Sequence, residues 1–207
     1  MSRQFPHAFE EALFRRINEL TRRKNRVLIA IDGNSGAGKT NLANLLQSMY
    51  DCNVFSMDHF FLQPHQRTEA RLAAPGGNVD IERFVEEVIR PLTIGMPFVY
   101  RVYDCRTFSL SETISADPRP LNVVEGVYSL HPHVPDVYDL KVFLKLDPPE
   151  QKRRISARDE ALWERFEREW IPMENRYFAA FAVPESCDLL FDAASIPKFD
   201  HQRRVYA

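Results

Sequence analysis

An eight-residue run, Gly33-Asn34-Ser35-Gly36-Ala37-Gly38-Lys39-Thr40, fits the pattern Gly-x-x-x-x-Gly-Lys-Ser/Thr. The apolar run Val27-Leu28-Ile29-Ala30-Ile31 precedes it, and Leu42-Ala43-Asn44-Leu45-Leu46 follows it. A strand, a glycine loop and a helix in this order are what a phosphate-binding P-loop requires. The sequence therefore predicts that all eight residues of the run bind the phosphates of a nucleotide.

Each residue type in this run suits a phosphate ligand. Gly33, Gly36 and Gly38 let backbone N–H groups turn inward around a phosphate chain, and the following helix adds the positive end of its dipole. Lys39 is predicted to reach the terminal phosphates and to act in catalysis, and Thr40 is placed to hold Mg²⁺. We therefore expect ATP and Mg²⁺ as the cofactors. A glycine-rich turn without a ligand is the alternative.

Composition indicates an ordinary folded protein. The 207 residues are 44% hydrophobic and 27% charged, which suits one domain spanning residues 1–207. The formal net charge of −2 gives no global electrostatic footprint for nucleic acid or an anionic membrane. No apolar stretch approaches 18 residues, and the N-terminus lacks the apolar core of a signal peptide. We expect a cytoplasmic protein with no nucleic-acid or membrane partner, and a homo-oligomer stays open.

Five short apolar runs alternate with helical patterns along the chain. One run includes Ile29, and the others lie at 53–57, 121–124, 140–146 and 189–191. This alternation predicts an α/β fold, a P-loop NTPase whose five-stranded parallel sheet carries helices on both faces. Functional residues of such sheets follow the carboxyl ends of the strands.

Further segments surround the predicted sheet. Apolar residues at helical spacing assign residues 1–25 to an N-terminal amphipathic helix. Asp80 is predicted to cap another helix, which Pro91 closes or bends. Two alternating segments predict a β-hairpin inserted at 97–115, and covering the acceptor site would explain such an insertion.

The segment 150–170 is rich in arginine. Arg154 and Arg158 are four residues apart, so they share one face if this region is helical. Pro148 and Pro149 end the preceding strand. A helical lid hinged over the nucleotide is therefore predicted, and a solvated charged face is the alternative.

The remaining motifs distinguish between P-loop chemistries. The chain has no guanine-reading Asn-Lys-x-Asp and no Asp-x-x-Gly after a strand, which argues against a GTPase. The strand ending Val123-Val124-Glu125-Gly126 lacks the Asp-Glu pair of ATP-driven motors. Phosphoryl transfer to a small acceptor remains, and it needs a carboxylate beside the γ-phosphate to accept a hydroxyl proton.

Two acids are candidates, by position, for a carboxylate beside the γ-phosphate. Asp58 follows the strand after the P-loop helix, and it is predicted to be the general base. Glu125 is predicted to orient Mg²⁺ or its water. The alternatives are a capping or outer-shell metal role for Asp58 and a structural role for Glu125.

The ordered motifs resemble uridine kinase and its relatives, the branch of P-loop kinases that includes phosphoribulokinase, pantothenate kinase and nicotinamide riboside kinase. Besides the P-loop, the resemblance is carried by Met57-Asp58-His59-Phe60-Phe61, Val102-Tyr103-Asp104, Val124-Glu125-Gly126-Val127 and the Arg-rich segment ending Arg158-Asp159. It implies that Asp58 is the catalytic base and that Tyr103 faces the acceptor. It also implies that Arg154 and Arg158 contact phosphates, Arg154 in nucleotide binding and Arg158 in catalysis.

The chain departs from that family on the acceptor side. It reads Ala73-Ala74-Pro75-Gly76-Gly77 where uridine kinases usually carry Phe-Asp-His-Pro, whose Asp holds ribose hydroxyls. Phe108 stands where the family has a His, and Phe61 replaces a Tyr. The residues predicted to contact a small-molecule acceptor are Phe61, Tyr103, Arg106 and Phe108.

Three functions remain open at this point. The first is a kinase that phosphorylates a hydroxyl of a small metabolite, either a nucleoside-like molecule or another. The second is a nucleotide-binding regulator or ATPase without a small acceptor. The third is a kinase whose acceptor is itself a phosphate, which demands additional arginines such as Arg101 and Arg106.

Overall fold

The computed structural model describes residues 7–158 and 160–195 of the chain. The strands in this part of the chain are β1 (Val27–Gly33), β2 (Cys52–Ser56), β3 (Phe98–Asp104), β4 (Ser109–Ala116), β5 (Leu121–Glu125), β6 (Leu140–Lys145) and β7 (Leu189–Asp192). Five of them form one parallel sheet in the order β2-β5-β1-β6-β7, and β3 pairs with β4 as a separate antiparallel hairpin. The predicted sheet and the predicted hairpin are both confirmed.

The helices connect these strands and cover both faces of the sheet. They are α1 (His7–Arg23), α2 (Lys39–Met49), α3 (Glu69–Ala73), α4 (Ile81–Phe84), α5 (Arg90–Ile94), α6 (Pro148–Arg158), α7 (Glu160–Arg165) and α8 (Ile171–Phe181). Helix α1 falls within the predicted 1–25 segment, of which residues 1–6 lie outside the described residues. No helix in the described part of the chain is long and apolar enough to cross a membrane.

Two of these helices continue through π-helical turns. Val85–Ile89 joins α4 to α5, and Phe166–Trp170 joins α7 to α8. Each turn is followed by a proline, Pro91 or Pro172, which lacks an N–H and cannot fit a regular α-helical ladder. Pro91 therefore does not close its helix, which runs on to Ile94. The predicted cap at Asp80 is confirmed, because its carboxylate accepts the N–H of Arg83 at 3.2 Å.

Strand β1 lies at the centre of the sheet, between β5 and β6, and all seven of its residues are buried. Ile29 and Ile31 pack with α1 and α2 on one face, and Leu28 packs in the second core cluster on the other face. Apolar residues on both faces are typical of a parallel sheet covered by helices. The P-loop therefore starts from a strand that is held on both faces and both edges.

The register brings polar strand ends together at one edge. Ser56 of β2 lies beside Glu125 of β5, and Glu125 lies beside Ile31 of β1. Because parallel strands share this carboxyl edge, the residues that follow β1, β2 and β5 meet there. The candidate site is built at this edge.

The Gly33 and Gly38 positions allow a test of how tightly the P-loop is packed. Both have positive φ, 139° and 95°. A Cβ at Gly33 would collide with the backbone carbonyl of Leu144, whereas a Cβ at Gly38 would meet nothing within 4 Å. Gly38→Ala is expected to lower the free energy of unfolding by about 1–2 kcal/mol, the cost of left-handed backbone alone. Gly33→Ala is expected to cost at least about 3 kcal/mol, because the collision adds to the strain. Urea denaturation measures both, and equal losses would contradict the packing described here.

Candidate active site

The P-loop wraps around the start of α2. Gly38 in left-handed conformation caps the helix, and Lys39 is its first residue. Asn34 is fixed from both sides, since its N–H donates to the Leu144 carbonyl at 3.1 Å and its side chain accepts the Leu146 N–H at 2.9 Å. Backbone N–H groups at the start of a helix favour an anion. The geometry is that of a phosphate cradle.

The Lys39 side chain lies within the loop and is 8% exposed. Its ammonium donates to the carbonyl oxygens of Gly33 and Asn34 at 2.8 and 3.0 Å. Both of these hydrogen-bond partners are neutral carbonyls, although buried acids nearby, such as Glu125, also interact with this charge. Lys39 therefore lies within the loop, and its contact with terminal phosphates stays a prediction.

Glu125 is buried at the carboxyl edge, and two hydroxyls donate to it. Thr40 Oγ1 lies 3.3 Å from one carboxylate oxygen, and Ser56 Oγ lies 2.9 Å from the other. Burial raises the pKa of Glu125, whereas the nearby Lys39 cation lowers it. The structure thus brings together the two residues predicted to hold a metal, Thr40 and Glu125.

The donor set at Thr40 and Glu125 suits Mg²⁺. A carboxylate and a hydroxyl are hard oxygen ligands, and Mg²⁺ is commonly bound by one or two protein oxygens with nucleotide phosphates completing its shell. The oxygens of Thr40 and Glu125 therefore fit a Mg²⁺ ion that is bound together with nucleotide phosphates. No group of three or more His, Cys, Asp or Glu side chains that could hold a metal is found in the described residues.

Asp58 lies directly beyond β2, in the 3₁₀ helix Met57–Phe60. Its N–H donates to Ser56 Oγ at 3.4 Å, and the same hydroxyl donates to Glu125. The Asp58 side chain is exposed, and its charge raises the pKa of Glu125. A solvent-accessible carboxylate therefore lies within electrostatic reach of Glu125, and its role as a general base stays a prediction.

Arg83 fastens the Asp58 segment to the hairpin. Its guanidinium donates to the carbonyls of His59 and Arg101 at 2.8 and 2.6 Å, and it lies 4.4 Å from the centre of the Phe60 ring. Asp80, at 3.4 Å, helps balance its charge. One buried cation thus ties the segment after β2 to strand β3.

The acceptor-side residues fall into two groups. Tyr103 is buried at the end of β3, and burial raises its pKa. Next to it, Cys105 has a pKa raised first by burial and then by the charge of Asp58, so this end of the hairpin lies near Asp58. Phe61 is half-buried and bridges to Val79.

Arg106 and Phe108 lie in the hairpin turn instead. The Arg106 side chain is 91% exposed and pairs with Asp104 at 3.3 Å. Phe108 has a φ of 55° and is 62% exposed. Neither residue joins the buried part of the site, because a tight turn directs its side chains to solvent. Their role with an acceptor stays a prediction.

The Arg-rich segment forms a helix that packs on the P-loop. Gln151 of α6 donates to the Ser35 carbonyl at 3.1 Å, and Arg154 donates to the carbonyls of Gly36 and Ala193 at 3.3 and 2.7 Å. Arg154 is thus held between the P-loop and the segment after β7. Arg158 is exposed at the end of α6. The predicted helix is confirmed, and lid closure over a nucleotide stays a prediction.

Comparisons with known proteins support the fold and a general similarity to kinases. No protein-family model matches the chain. A uridine kinase of Lactiplantibacillus plantarum is 28% identical over 139 residues, 62% of this chain and 66% of that relative. A uridine kinase of Streptococcus agalactiae serotype III is 28% identical over 154 residues, 68% of this chain and 73% of that relative. A solved structure of a possible uridine kinase from Bacillus stearothermophilus superposes with a TM-score of 0.61 at 23% identity, covering 87% of this chain and all of that one.

The chain is similar to uridine kinases in sequence and to a P-loop kinase in fold.

Asp32 and Tyr177 are two residues of this site that the sequence motifs did not assign. The buried Asp32 carboxylate accepts the N–H of Gly33 at 2.7 Å, the N–H of Leu130 at 3.1 Å and the hydroxyl of Tyr177 at 2.8 Å. It links the P-loop, the segment after β5 and helix α8. The available sequence signal was an acid at the end of a buried strand, the same signal that identified Glu125.

Glu174 and Arg83 were also missed. Glu174 of α8 accepts the N–H of Ser35 at 3.1 Å and also its hydroxyl. It lies 139 positions from Ser35 along the chain, so no local pattern could pair the two. Arg83 follows the predicted cap Asp80 by three positions, but its partners on the hairpin come from tertiary packing.

Asp32 predicts a specific dependence of stability on pH. Burial raises its pKa from the ordinary value of 3.8 to about 6. The folded state therefore keeps a proton that the unfolded chain has lost, and the resulting stabilisation is present below pH 3.8 and is lost as pH rises to about 6. Two pKa units correspond to about 3 kcal/mol. Between pH 4 and 6.5, the wild type should lose about that much more unfolding free energy than Asp32→Asn in urea titrations. Parallel pH profiles for the two proteins would contradict this assignment.

Proposed function

We propose that this chain is a kinase that transfers the γ-phosphoryl group of ATP to a hydroxyl of a small metabolite. The similarity to uridine kinases supports an ATP-dependent small-molecule kinase. The observation that carries the proposal is the Ser56 hydroxyl, which contacts both the Asp58 segment and Glu125 beside Thr40. Through this hydroxyl, the segment that carries the exposed Asp58 carboxylate is held next to the phosphate-binding loop. Transfer to a hydroxyl needs a proton acceptor in such a position.

The P-loop would bind and orient the phosphates. The N–H groups of the loop and the start of α2 provide fixed donors, and Lys39 provides a positive charge for the terminal phosphates. Fixed donors aimed at developing charge are usually the largest contribution to catalysis of this kind. Thr40 and Glu125 would hold Mg²⁺, which neutralises charge on the β- and γ-phosphates when it is bound.

Asp58 would take the proton of the acceptor hydroxyl. The hydroxyl oxygen attacks the γ-phosphorus, the bond from the γ-phosphorus to the bridging oxygen breaks, and ADP leaves with those electrons. The proton passes to the Asp58 carboxylate, which is solvent-accessible and can release it afterwards. Arg83 keeps this segment rigid, so that Asp58 and Tyr103 hold the acceptor between them.

The residues near Gly76 and Gly77 bear on the identity of the acceptor. Gly76 and Gly77 occupy the region where uridine kinases carry their ribose-binding acid. A Cβ at Gly76 would come within 2.8 Å of the His131 ring, and one at Gly77 would collide with the Arg71 carbonyl. Backbone packed this closely leaves no room for a carboxylate at these two positions. The absence of the family's acid favours an acceptor other than a pyrimidine riboside.

A phosphate acceptor is less well supported. The arginines that it would need are occupied, since Arg101 pairs with Glu87 at 2.6 Å and Arg106 pairs with Asp104. Both lie on the exposed side of the hairpin. A regulator without an acceptor differs from a kinase in a measurable way, because no metabolite would accelerate its hydrolysis.

The direct test is ADP release measured across a panel of nucleosides, vitamins and sugars. A kinase shows stimulation by at least one hydroxyl compound and a phosphorylated product that matches the ADP formed. Slow ADP release that no compound in a broad panel stimulates would favour the regulator instead.

Asp58→Asn tests the proton acceptor. The substitution keeps size and hydrogen bonding but removes the base, so kcat should fall by about 10²–10⁴-fold with nucleotide affinity nearly unchanged. Asp51→Asn is a matched control, because Asp51 is exposed at the opposite end of β2 and pairs with Arg119. Steady-state kinetics and nucleotide titration provide both numbers. Equal losses of ATP affinity and rate in Asp58→Asn would make Asp58 a metal or structural residue.

Uridine and cytidine are expected to be poor acceptors. Two partners of a ribosylpyrimidine are missing, the acid near Gly76 and the imidazole at Phe108. Each unpaired polar group costs about 1–3 kcal/mol, so the two together correspond to a loss of roughly 30-fold to 20,000-fold in kcat/KM. A more apolar or differently substituted hydroxyl compound should perform better. A micromolar KM for uridine with ordinary turnover would restore the plain uridine kinase interpretation.

A further inference from the structure

Glu174 places a carboxylate inside the phosphate-binding loop. Its side chain is 4% exposed. Both of its oxygens are used on one residue, Ser35, whose N–H lies 3.1 Å from one oxygen and whose hydroxyl contacts the other. A P-loop binds phosphate oxygens with the same kind of donor. The protein therefore satisfies part of its own anion site with an acid from helix α8.

The environment of Glu174 is rich in negative charge. Lys39 is the cation that acts on it, and the buried Asp32 carboxylate acts in the opposite direction. Glu125 is a third buried acid, and it also interacts with Lys39. A nucleotide brings further negative charge to the same lysine. Three carboxylates and a polyphosphate around one ammonium cannot all remain ionised without a cost.

We infer that Glu174 is an internal anion of the P-loop, which holds Ser35 in the empty site and becomes neutral by taking up a proton when the terminal phosphates of a nucleotide arrive. This inference rests on the proposed binding of ATP to the loop, and it adds a control on that binding. Glu174 acts through Ser35 and Lys39 and is a positioning residue. At alkaline pH, the negative charge of Glu174 weakens nucleotide affinity. At acidic pH, protonation removes the charge and this effect disappears.

Proton uptake is the natural response of this side chain. Its position is fixed by Ser35 and by the packing of α8, where Tyr177 one turn later is bonded to Asp32 at 2.8 Å. Moving the carboxylate away would break both contacts with Ser35 and would require a different side-chain rotamer within a packed, buried environment. Protonation needs no such movement, and burial already raises the pKa of Glu174. Neutralisation therefore costs less than displacement.

The groups that face Glu174 determine the sign of the pH effect. They are Lys39 of α2, Asp32 of β1, and Tyr128 from the segment after β5, whose pKa Glu174 raises. Gln151 of α6, on the other side of Ser35, is neutral. An added anion raises the pKa of an acid beside it. Binding of MgATP should therefore strengthen as pH falls. Asp32 also contributes to this pH dependence, so part of it should remain when the Glu174 carboxylate is removed.

The test uses Glu174→Gln and binding of MgATP without an acceptor. A glutamine can accept the Ser35 N–H and donate to its hydroxyl, so the loop contacts survive while the charge is lost. At pH 8, the affinity for MgATP should rise about tenfold, which corresponds to about 1.4 kcal/mol. Affinity for AMP, which lacks the terminal phosphates, should change less than about threefold. Glu185→Gln removes the same charge at an exposed site and should change neither affinity.

Calorimetry supplies the second measurement. Wild-type protein titrated with MgATP at pH 8 in buffers of different ionisation enthalpy should take up protons, and Glu174→Gln should take up fewer. Should the variant fold poorly, the wild-type proton uptake still tests the inference, and its absence would overturn it.

Two outcomes of the variant would overturn the inference. One is unchanged or weaker MgATP binding by folded Glu174→Gln, which would make Glu174 only a brace for the loop. The other is an equal change for AMP and MgATP, which would indicate a general structural effect. Loss of nucleotide binding by the wild type would instead remove the proposed function, so the two failures are distinguishable.

Discussion

The buried carboxylate of Asp32 is the interaction on which the arrangement of the site depends. It is fully buried, and an acid in that position has to be satisfied by hydrogen bonds. Its three donors come from Gly33, Leu130 and Tyr177. These belong to the start of the P-loop, the segment after β5 and helix α8. One side chain at the end of the central strand therefore sets how three distant parts of the chain meet.

The position of α8 has a direct effect on the phosphate site. The same helix that brings Tyr177 to Asp32 brings Glu174 to Ser35, one turn earlier. Helix α6 holds the other side of Ser35 through Gln151. Ser35 of the P-loop is thus contacted by α6, which belongs to the Arg-rich segment, and by α8, which follows that segment. Movement of α6 would therefore disturb the loop through Gln151.

The site combines few cations with several acids. Lys39 lies in the P-loop, and Arg83 links the Asp58 segment to the hairpin. Burial lowers the pKa of Arg83, while its acidic neighbours Glu87 and Asp80 raise it. On the proposed function, a polyphosphate would bind to such a site with help from backbone donors, a divalent cation and the proton uptake inferred for Glu174. ATP with Mg²⁺ is the ligand that we propose for it.

The fold could be predicted because its signals are local. The P-loop motif fixes a strand, a turn and a helix within 20 or so residues, and apolar runs of strand length then imply the sheet. A helix in the Arg-rich segment was predicted from the spacing of Arg154 and Arg158 together with the two prolines before it, with a solvated charged face as the alternative. The sequence did not reveal the contacts between residues that are far apart along the chain. Glu174 binds Ser35, which lies 139 positions earlier, and Arg83 donates to carbonyls on two other elements. Arg106 and Phe108 were assigned by their place next to a motif, whereas the turn that carries them faces solvent.

The fate of the γ-phosphoryl group tests the central claim most directly. ATP labelled in that group is incubated with the full chain, Mg²⁺ and each hydroxyl compound of the panel, and the products are separated and identified by mass. A kinase transfers the label to a phosphomonoester of the acceptor in an amount equal to the ADP formed. Label that appears only as inorganic phosphate, at a rate independent of every compound added, would contradict phosphoryl transfer to a small acceptor.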